Sequence, residues 1–300
     1  MLTVEKERVN KKRIMRIRLF NFWYFFWIVF FVGIFILLYF LLRNKKDRAK
    51  RIVLFSILIF ALVLHFLKFF IPPYSDDISR LYRDSWFTNI CAANIFIFPF
   101  IFASKNNTAK DYMFYIGVIS GIAATLLPLE PINKVNQTGE VLDIIRFYVH
   151  HSILWIVPLL MVVLKLHKID YKRVWKMPGC LLLLLLFIML NQIIQSELGF
   201  VPLRDDNFFQ INYKNSSYIW GPNGDEFGRF LSYLCPNFFK TVPVGKFAGR
   251  IKYWPWFWLI VPAYVLLIPL MFFIALIFEK DVFRSDMILL RERFRHKKCK

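Results

Sequence analysis

Acidic residues are scarce in this chain: 20 Asp and Glu stand against 40 Lys and Arg, which leaves a formal net charge of +20 over 300 residues. Cysteine is scarce as well, with four copies and no CxxC pair or HExxH element. A metal centre, which needs clustered ligands at such spacings, therefore has little support. No repeat of 20 to 50 residues is visible, so a solenoid or propeller is not indicated. The first apolar run has no small-residue cleavage pattern, and the basic stretch Arg43 to Arg51 follows it at once. It reads as a retained span and not as a removed leader.

What is present is apolar mass. Hydrophobic residues make up 58% of the chain and aromatics 19%, with 35 Phe and a mean hydropathy of +0.48. A soluble domain does not carry this balance. Seven stretches, near 20–42, 52–72, 86–103, 113–129, 147–165, 179–199 and 254–279, approach the roughly 20 helical residues that cross a hydrocarbon layer. Lipid satisfies no backbone hydrogen bond, so the expected fold is all-α, a polytopic membrane bundle of about seven helices. The basic residues cluster beside these spans, which favours anionic headgroups over nucleic acid as their counterpart. Counting Lys and Arg by connection, 21 fall on the face that includes the C-terminal tail; of the 17 on the other face, seven spread over the long segment 200–253 count weakly, while seven before Phe20 oppose the assignment. The expected orientation has the C-terminus in the cytoplasm and the N-terminus outside.

The organisation follows: a basic N-terminal tail (1–19), a transmembrane domain (20–280) and a basic C-terminal tail (281–300). Within the domain, residues 200–253 are rich in Phe, Tyr and Trp but broken by Pro202, Pro222, Pro236 and Pro243. Disordered segments lack such aromatics, so this stretch is expected to be an ordered cap, with a short re-entrant or interfacial piece near Phe227 to Phe239. A loosely ordered surface loop is the bland alternative. Trp254, Trp256 and Trp258 fit an interfacial belt.

The candidate site comes from "RFYVHHSILWIVP", Arg146 to Pro158, which puts Arg146, His150 and His151 into an apolar run. Polar side chains at such depth cost roughly 2 to 3.5 kcal/mol each, and so normally face a protein interior. Because successive spans alternate direction, the second ends, the third begins, the fifth begins and the sixth ends on one face. Lys68 and His151 then lie about 6 Å inside the layer and Cys91 about 7 Å, with Arg146 at its boundary and Asn191 and Gln195 approaching it. Each has an ordinary role available: Lys68 and Arg146 can snorkel to headgroups, His65 can be a hydrogen-bonded core residue, and Asn191 and Gln195 can bond neighbouring helices. If a histidine reaches Cys91, the two make a nucleophile and base. Glu130, Glu140 or Asp143 could orient that imidazole, while Arg146 and Lys68 could hold a phosphate. A Cys91–Cys235 disulfide is allowed if that face is oxidising.

Four pieces of the chain carry a likeness: "HFLKFF" with Phe66 and Lys68, "NIC" at Asn89 to Cys91, "HSILWIVP" at His151 to Pro158, and "INY" at Ile211 to Tyr213. In these the chain resembles the YwaF-type integral membrane proteins and their animal relative transmembrane protein 164, a membrane cysteine acyltransferase. The resemblance covers roughly 60–280. It lacks the "LPLHLC" wording of bacterial relatives before Cys91, and its Phe-Lys spacing is imperfect. What it implies is Cys91 as acyl-accepting nucleophile and His151 as its base. The expected substrate contacts are Lys68, Arg146, His150, Asn89, Asn191, Gln195 and Asn212. Phospholipids and lysophospholipids would be the partners, with no cofactor and no metal, in a bacterial plasma membrane. Two rivals stay open: a transporter or substrate-binding membrane component using the same polar layer, and a non-enzymatic scaffold whose tail "RERFRHKKCK" binds lipid.

Overall fold

The computed structural model describes residues 17–70, 75, 87–133, 140–199, 215, 217–241, 244–245 and 248–298, without the side chains of Lys68, Glu130, Asn133, Glu140 and 293–298. Among these residues every regular element is helical, and extended chain pairs only in an isolated bridge between Thr241 and Ile251. Five helices are long and apolar enough to cross a membrane, and Ile90–Ala103 is apolar but shorter. The polytopic all-α bundle is thus the observed architecture. Two of the expected spans take other forms. The third, which the apolar run put near 86–103, begins as a helix only at Ile90. The fourth is a helix from Asn107 to Leu126 that carries Lys110 and Asp111 within it.

The described residues form two compact units. The first holds α1 (Phe22–Leu42), α2 (Asp47–Phe66), α3 (Ile90–Ala103), the later part of α4 (Asn107–Leu126) and α5 (Glu140–Val163). Asn21 starts α1, its Oδ1 accepting from the Tyr24 amide at 2.9 Å, which satisfies one of the orphan donors of a helix start. Around α1, large apolar residues such as Val29, Leu37 and Phe40 stay exposed, while Trp27 and Phe31 are buried. A helix apolar on all sides with its outward residues uncovered is what lipid solvates. Trp27 stacks on Tyr148 of α5, 5.1 Å between ring centres and 10° from parallel. α2 packs on both α3 and α5, and α3 packs on α5.

The backbones of α4 and α5 approach closely at two glycines. A Cβ at Gly117 would lie 2.5 Å from the Leu154 carbonyl oxygen, and one at Gly121 would lie 2.7 Å from the His151 carbonyl oxygen. Two glycines four residues apart let the helix backbones meet, as small-residue pairs do between membrane helices. The sequence explains why Leu154 needs such a neighbour. Pro158, four residues on, has no N–H to donate to that carbonyl, and the α-hydrogens of Gly117 cover it instead.

The second unit contains the start of α4, a 3-10 turn Tyr171–Lys176, α6 (Met177–Glu197), α7 (Glu226–Leu234) and α8 (Ile260–Lys298). α7 falls within the aromatic stretch 200–253. Trp256 donates its indole N–H to the Leu182 carbonyl at 2.7 Å, and fully buried Trp258 donates to the Tyr218 carbonyl at 2.8 Å. These two tryptophans therefore fasten chain segments to each other and do not form the interfacial belt expected of them. α8 runs on past the end of its apolar run, with one break at Glu279 (φ −125°, ψ 23°). No Gly or Pro follows to end it.

A buried charge cluster ties this unit together. Asp111 is fully buried; one carboxylate oxygen accepts from His167 Nε2 at 2.6 Å and the other from Arg173 Nε at 2.5 Å. Arg173 also reaches Asp170 at 3.1 Å, and Glu279 accepts from the Tyr171 amide at 2.7 Å. Arg173 thus works within the protein, where its position in a basic connection suggested a headgroup partner. Replacing Asp111 with Asn leaves two cationic or donor groups against a neutral amide. The loss expected is about 3–5 kcal/mol, measurable as a lowered unfolding midpoint of the detergent-solubilised protein; an unchanged midpoint would show that the cluster is not a brace.

Candidate functional site

Cys91 occupies the first turn of α3, two residues after the N-cap Asn89. The Asn89 Oδ1 accepts from the Ala92 amide at 2.8 Å. That oxygen starts the helix. The cap has a consequence for Cys91, because the first turn of a helix is where its dipole favours an anion. The thiol is in no disulfide and is half-buried. Cys235 is in none either, so the disulfide allowed between the two is not formed. Burial pushes the Cys235 thiol up to about 11, leaving it protonated at neutral pH and unreactive.

His151 sits on α5 with Nδ1 2.7 Å from the Phe147 carbonyl oxygen. A carbonyl can only accept, so in the neutral ring Nδ1 carries the hydrogen and Nε2 carries the lone pair. The Nδ1 bond thus orients the imidazole from the backbone. Asp143 is engaged elsewhere: it accepts from Arg146 at 3.2 Å, with both side chains largely buried. The side chains of Glu130 and Glu140 lie outside the described residues. Arg146 thus arrives with its charge matched one turn below, although its Nε is buried with no hydrogen-bond partner among the described residues.

Glycine contacts fix the relative level of thiol and imidazole. The point where a Gly117 Cβ would stand is 2.9 Å from the Phe98 ring and 3.1 Å from Pro158 Cγ. Phe98 of α3 and Pro158 of α5 are therefore level. α4 runs antiparallel to both neighbours: the tight turn after Ala103 reverses it relative to α3, and its residues 117 and 121 meet α5 in descending order. Seven residues back from Phe98 is Cys91, and seven back from Pro158 is His151; each step is about 10 Å along its helix. The two stand at one level on packed helices. The end of α2 joins them there, with buried His65 5.7 Å from buried His150 between ring centres.

In the second unit Asn191, Gln192 and Gln195 line one buried face of α6. Gln192 Oε1 accepts from the Trp220 indole at 2.7 Å. The side chain of Lys68 and all of Asn212 lie outside the described residues. Among the described residues no cluster of three potential metal ligands occurs. Two features were missed from the sequence. The pair Gly117 and Gly121 was readable as a small-residue spacing inside an apolar run, and Asp111 as an acid inside an apolar helix.

The fold defines a polytopic helical membrane protein. The chain belongs to the TMEM164 family, whose model matches residues 17–275. No curated protein and no solved structure matches it.

Gly121 is the residue that lets α4 press on the backbone at His151. A Gly121→Ala methyl meets the His151 carbonyl oxygen and lies 3.0 Å from the Trp155 amide nitrogen, so α5 must shift where the imidazole is attached. The expected loss is about 1–3 kcal/mol, with a changed pH profile for alkylation of Cys91. Gly33→Ala, which adds its methyl in open space, should leave both readouts unharmed. An unchanged Cys91 profile in Gly121→Ala, in a protein that still folds, would break the link between this contact and the thiol.

Proposed function

We propose that this chain is a membrane-embedded acyltransferase that moves an acyl chain between phospholipid and lysophospholipid through Cys91. The observation that carries the reading is the Nδ1 bond from His151 to the Phe147 carbonyl, because it leaves the basic nitrogen as Nε2 on a ring level with a half-buried thiol. The Cys91 sulfur attacks the ester carbonyl carbon of the donor lipid while its proton passes to His151 Nε2. The ester C–O bond breaks, the departing oxygen takes that proton, and an acyl thioester and a lysolipid remain. In the second half, an acceptor hydroxyl gives its proton to Nε2 and attacks the thioester carbonyl, and the thiolate leaves and is reprotonated from His151. No cofactor enters the balance. Family membership is consistent with the reading but does not by itself supply a chemistry.

The environment supports this use of the pair. Lipid-exposed faces on α1 and α2 let a phospholipid approach from the bilayer. Arg146, already balanced by Asp143, and His150 are the cationic or donor groups of α5 nearest the headgroup boundary. In the orientation that the basic connections favour, the C-terminus is cytoplasmic and this layer faces outward.

The purified protein, given labelled phospholipid and unlabelled lysophospholipid, should exchange acyl chains and yield a hydroxylamine-sensitive acyl-protein. Cys91→Ala should abolish both, and His151→Gln should slow transfer by about 10²–10⁴-fold. Transfer that survives Cys91→Ala would remove the thioester mechanism. Tight binding of a water-soluble metabolite without any acyl-protein would favour the transporter reading instead.

A further inference from the structure

The amide face of α6 is buried but only partly bonded among the described residues. Asn191, Gln192 and Gln195 are 9%, 8% and 4% exposed. Gln192 Oε1 accepts from the Trp220 indole, and Trp220 is held in turn by Asn215, whose Oδ1 accepts from the Trp220 amide at 3.0 Å and whose Nδ2 donates to the Gly221 carbonyl at 2.6 Å. This wall is satisfied and rigid. Beside it, Asn191 Nδ2 and both Gln195 Nε2 and Oε1 are buried with no hydrogen-bond partner among the described residues. Buried amides left unpaired cost more than a hydrogen bond returns, so apolar residues of the same shape would serve a purely structural face better.

Two further observations say what would fill it. First, Leu183, Phe187, Leu190, Ile194 and Leu198 of the same helix are all exposed. At spacings of three and four residues they form a stripe beside the amides, of the kind that acyl chains cover. Second, Gln195 lies about 3 Å and Asn191 about 9 Å from the helix end at Glu197, near the level where a lipid's glycerol and ester groups sit, below its phosphate. The amides themselves are neutral, and between them offer donors and an acceptor. Such groups match an ester carbonyl and a hydroxyl, whereas a phosphate is best held by charged partners.

We propose that Asn191 and Gln195 bind the uncharged glycerol–ester backbone of a lipid, the carbonyl accepting from an amide N–H and a glycerol hydroxyl donating to Gln195 Oε1. This deepens the acyl-transfer reading by naming the part of the lipid that is held, and it rests on that reading only for the choice of lipid.

The test compares two probes on the full-length protein in detergent: lysophosphatidylcholine, and an alkylphosphocholine of equal chain length that keeps the headgroup but has no glycerol, ester or hydroxyl. Lipid adducts are counted by native mass spectrometry. The wild-type chain should retain the glycerol-bearing probe about tenfold more tightly, the worth of roughly one hydrogen bond. Gln195→Leu should erase that preference while raising the thermal midpoint of the lipid-free protein, since it removes unpaired amide atoms. Equal retention of the two probes by wild type overturns the proposal without needing a variant. A preference that persists in Gln195→Leu overturns it as well, as does a lowered midpoint with the preference intact, which would mark the amide as a structural bond to water or protein. Cys91→Ala should keep the preference; if that variant also keeps acyl transfer, the catalytic reading falls and this one stands.

Discussion

The contact of Gly117 with the Leu154 carbonyl is the constraint on which the first unit depends. Pro158 removes the amide that would ordinarily answer that carbonyl, and inside a membrane no water replaces it. Only a backbone that comes very close can cover it, and only glycine lets a backbone come so close. Once α4 and α5 touch there, the level of α5 against α3 follows. The heights of Cys91 and His151 along their helices are thus set by packing between residues that carry no chemistry.

The second unit reaches rigidity by charge. Asp111 is fully buried and accepts from groups on the segment between α5 and α6. An isolated carboxylate there would be prohibitive, but one with both oxygens bonded to donors is not. The same segment is fixed a second time through the Tyr171 amide on Glu279 and the Tyr171 hydroxyl on Asp286 at 2.5 Å. Glu279 is also where α8 departs from helical geometry, so the side chain that ends the apolar run is the one drawn inward.

What was legible in the sequence was whatever lipid makes expensive. Long apolar runs showed the bundle, and His150 and His151 stood out because an apolar run surrounds them. The Asn89 to Cys91 element was visible, but its meaning was not: an Asn before a helix reads equally as a cap or a ligand until the Ala92 amide is seen to use its oxygen. The orienting group for His151 could not be read at all, because a backbone carbonyl has no letter in the sequence. Asp111 was missed for a different reason. It lies just before the apolar run that begins near residue 113, and the fold shows it buried with Arg173 and His167. Trp258 misled in the opposite way, since a tryptophan at a span boundary usually sits at the headgroups and here is fully buried.

Depth alone therefore does not separate functional polar residues from structural ones in this bundle; satisfaction does. Asp111, Asn89 and Gln192 all sit where polarity is costly, and each has its bond within the chain. They need no ligand to explain them. Asn191 and Gln195 share the depth and the helix of Gln192 but not its partner. A sequence reading weighs all of these alike, because each is one polar letter in an apolar run. The distinction rests on atoms: a buried donor with an acceptor in reach contributes to the fold, and one without leaves the folded state with an unmet requirement that a ligand can meet. On that criterion Asn191 and Gln195, and not the count of charges, are the polar residues of α6 that the described part of the fold leaves unexplained.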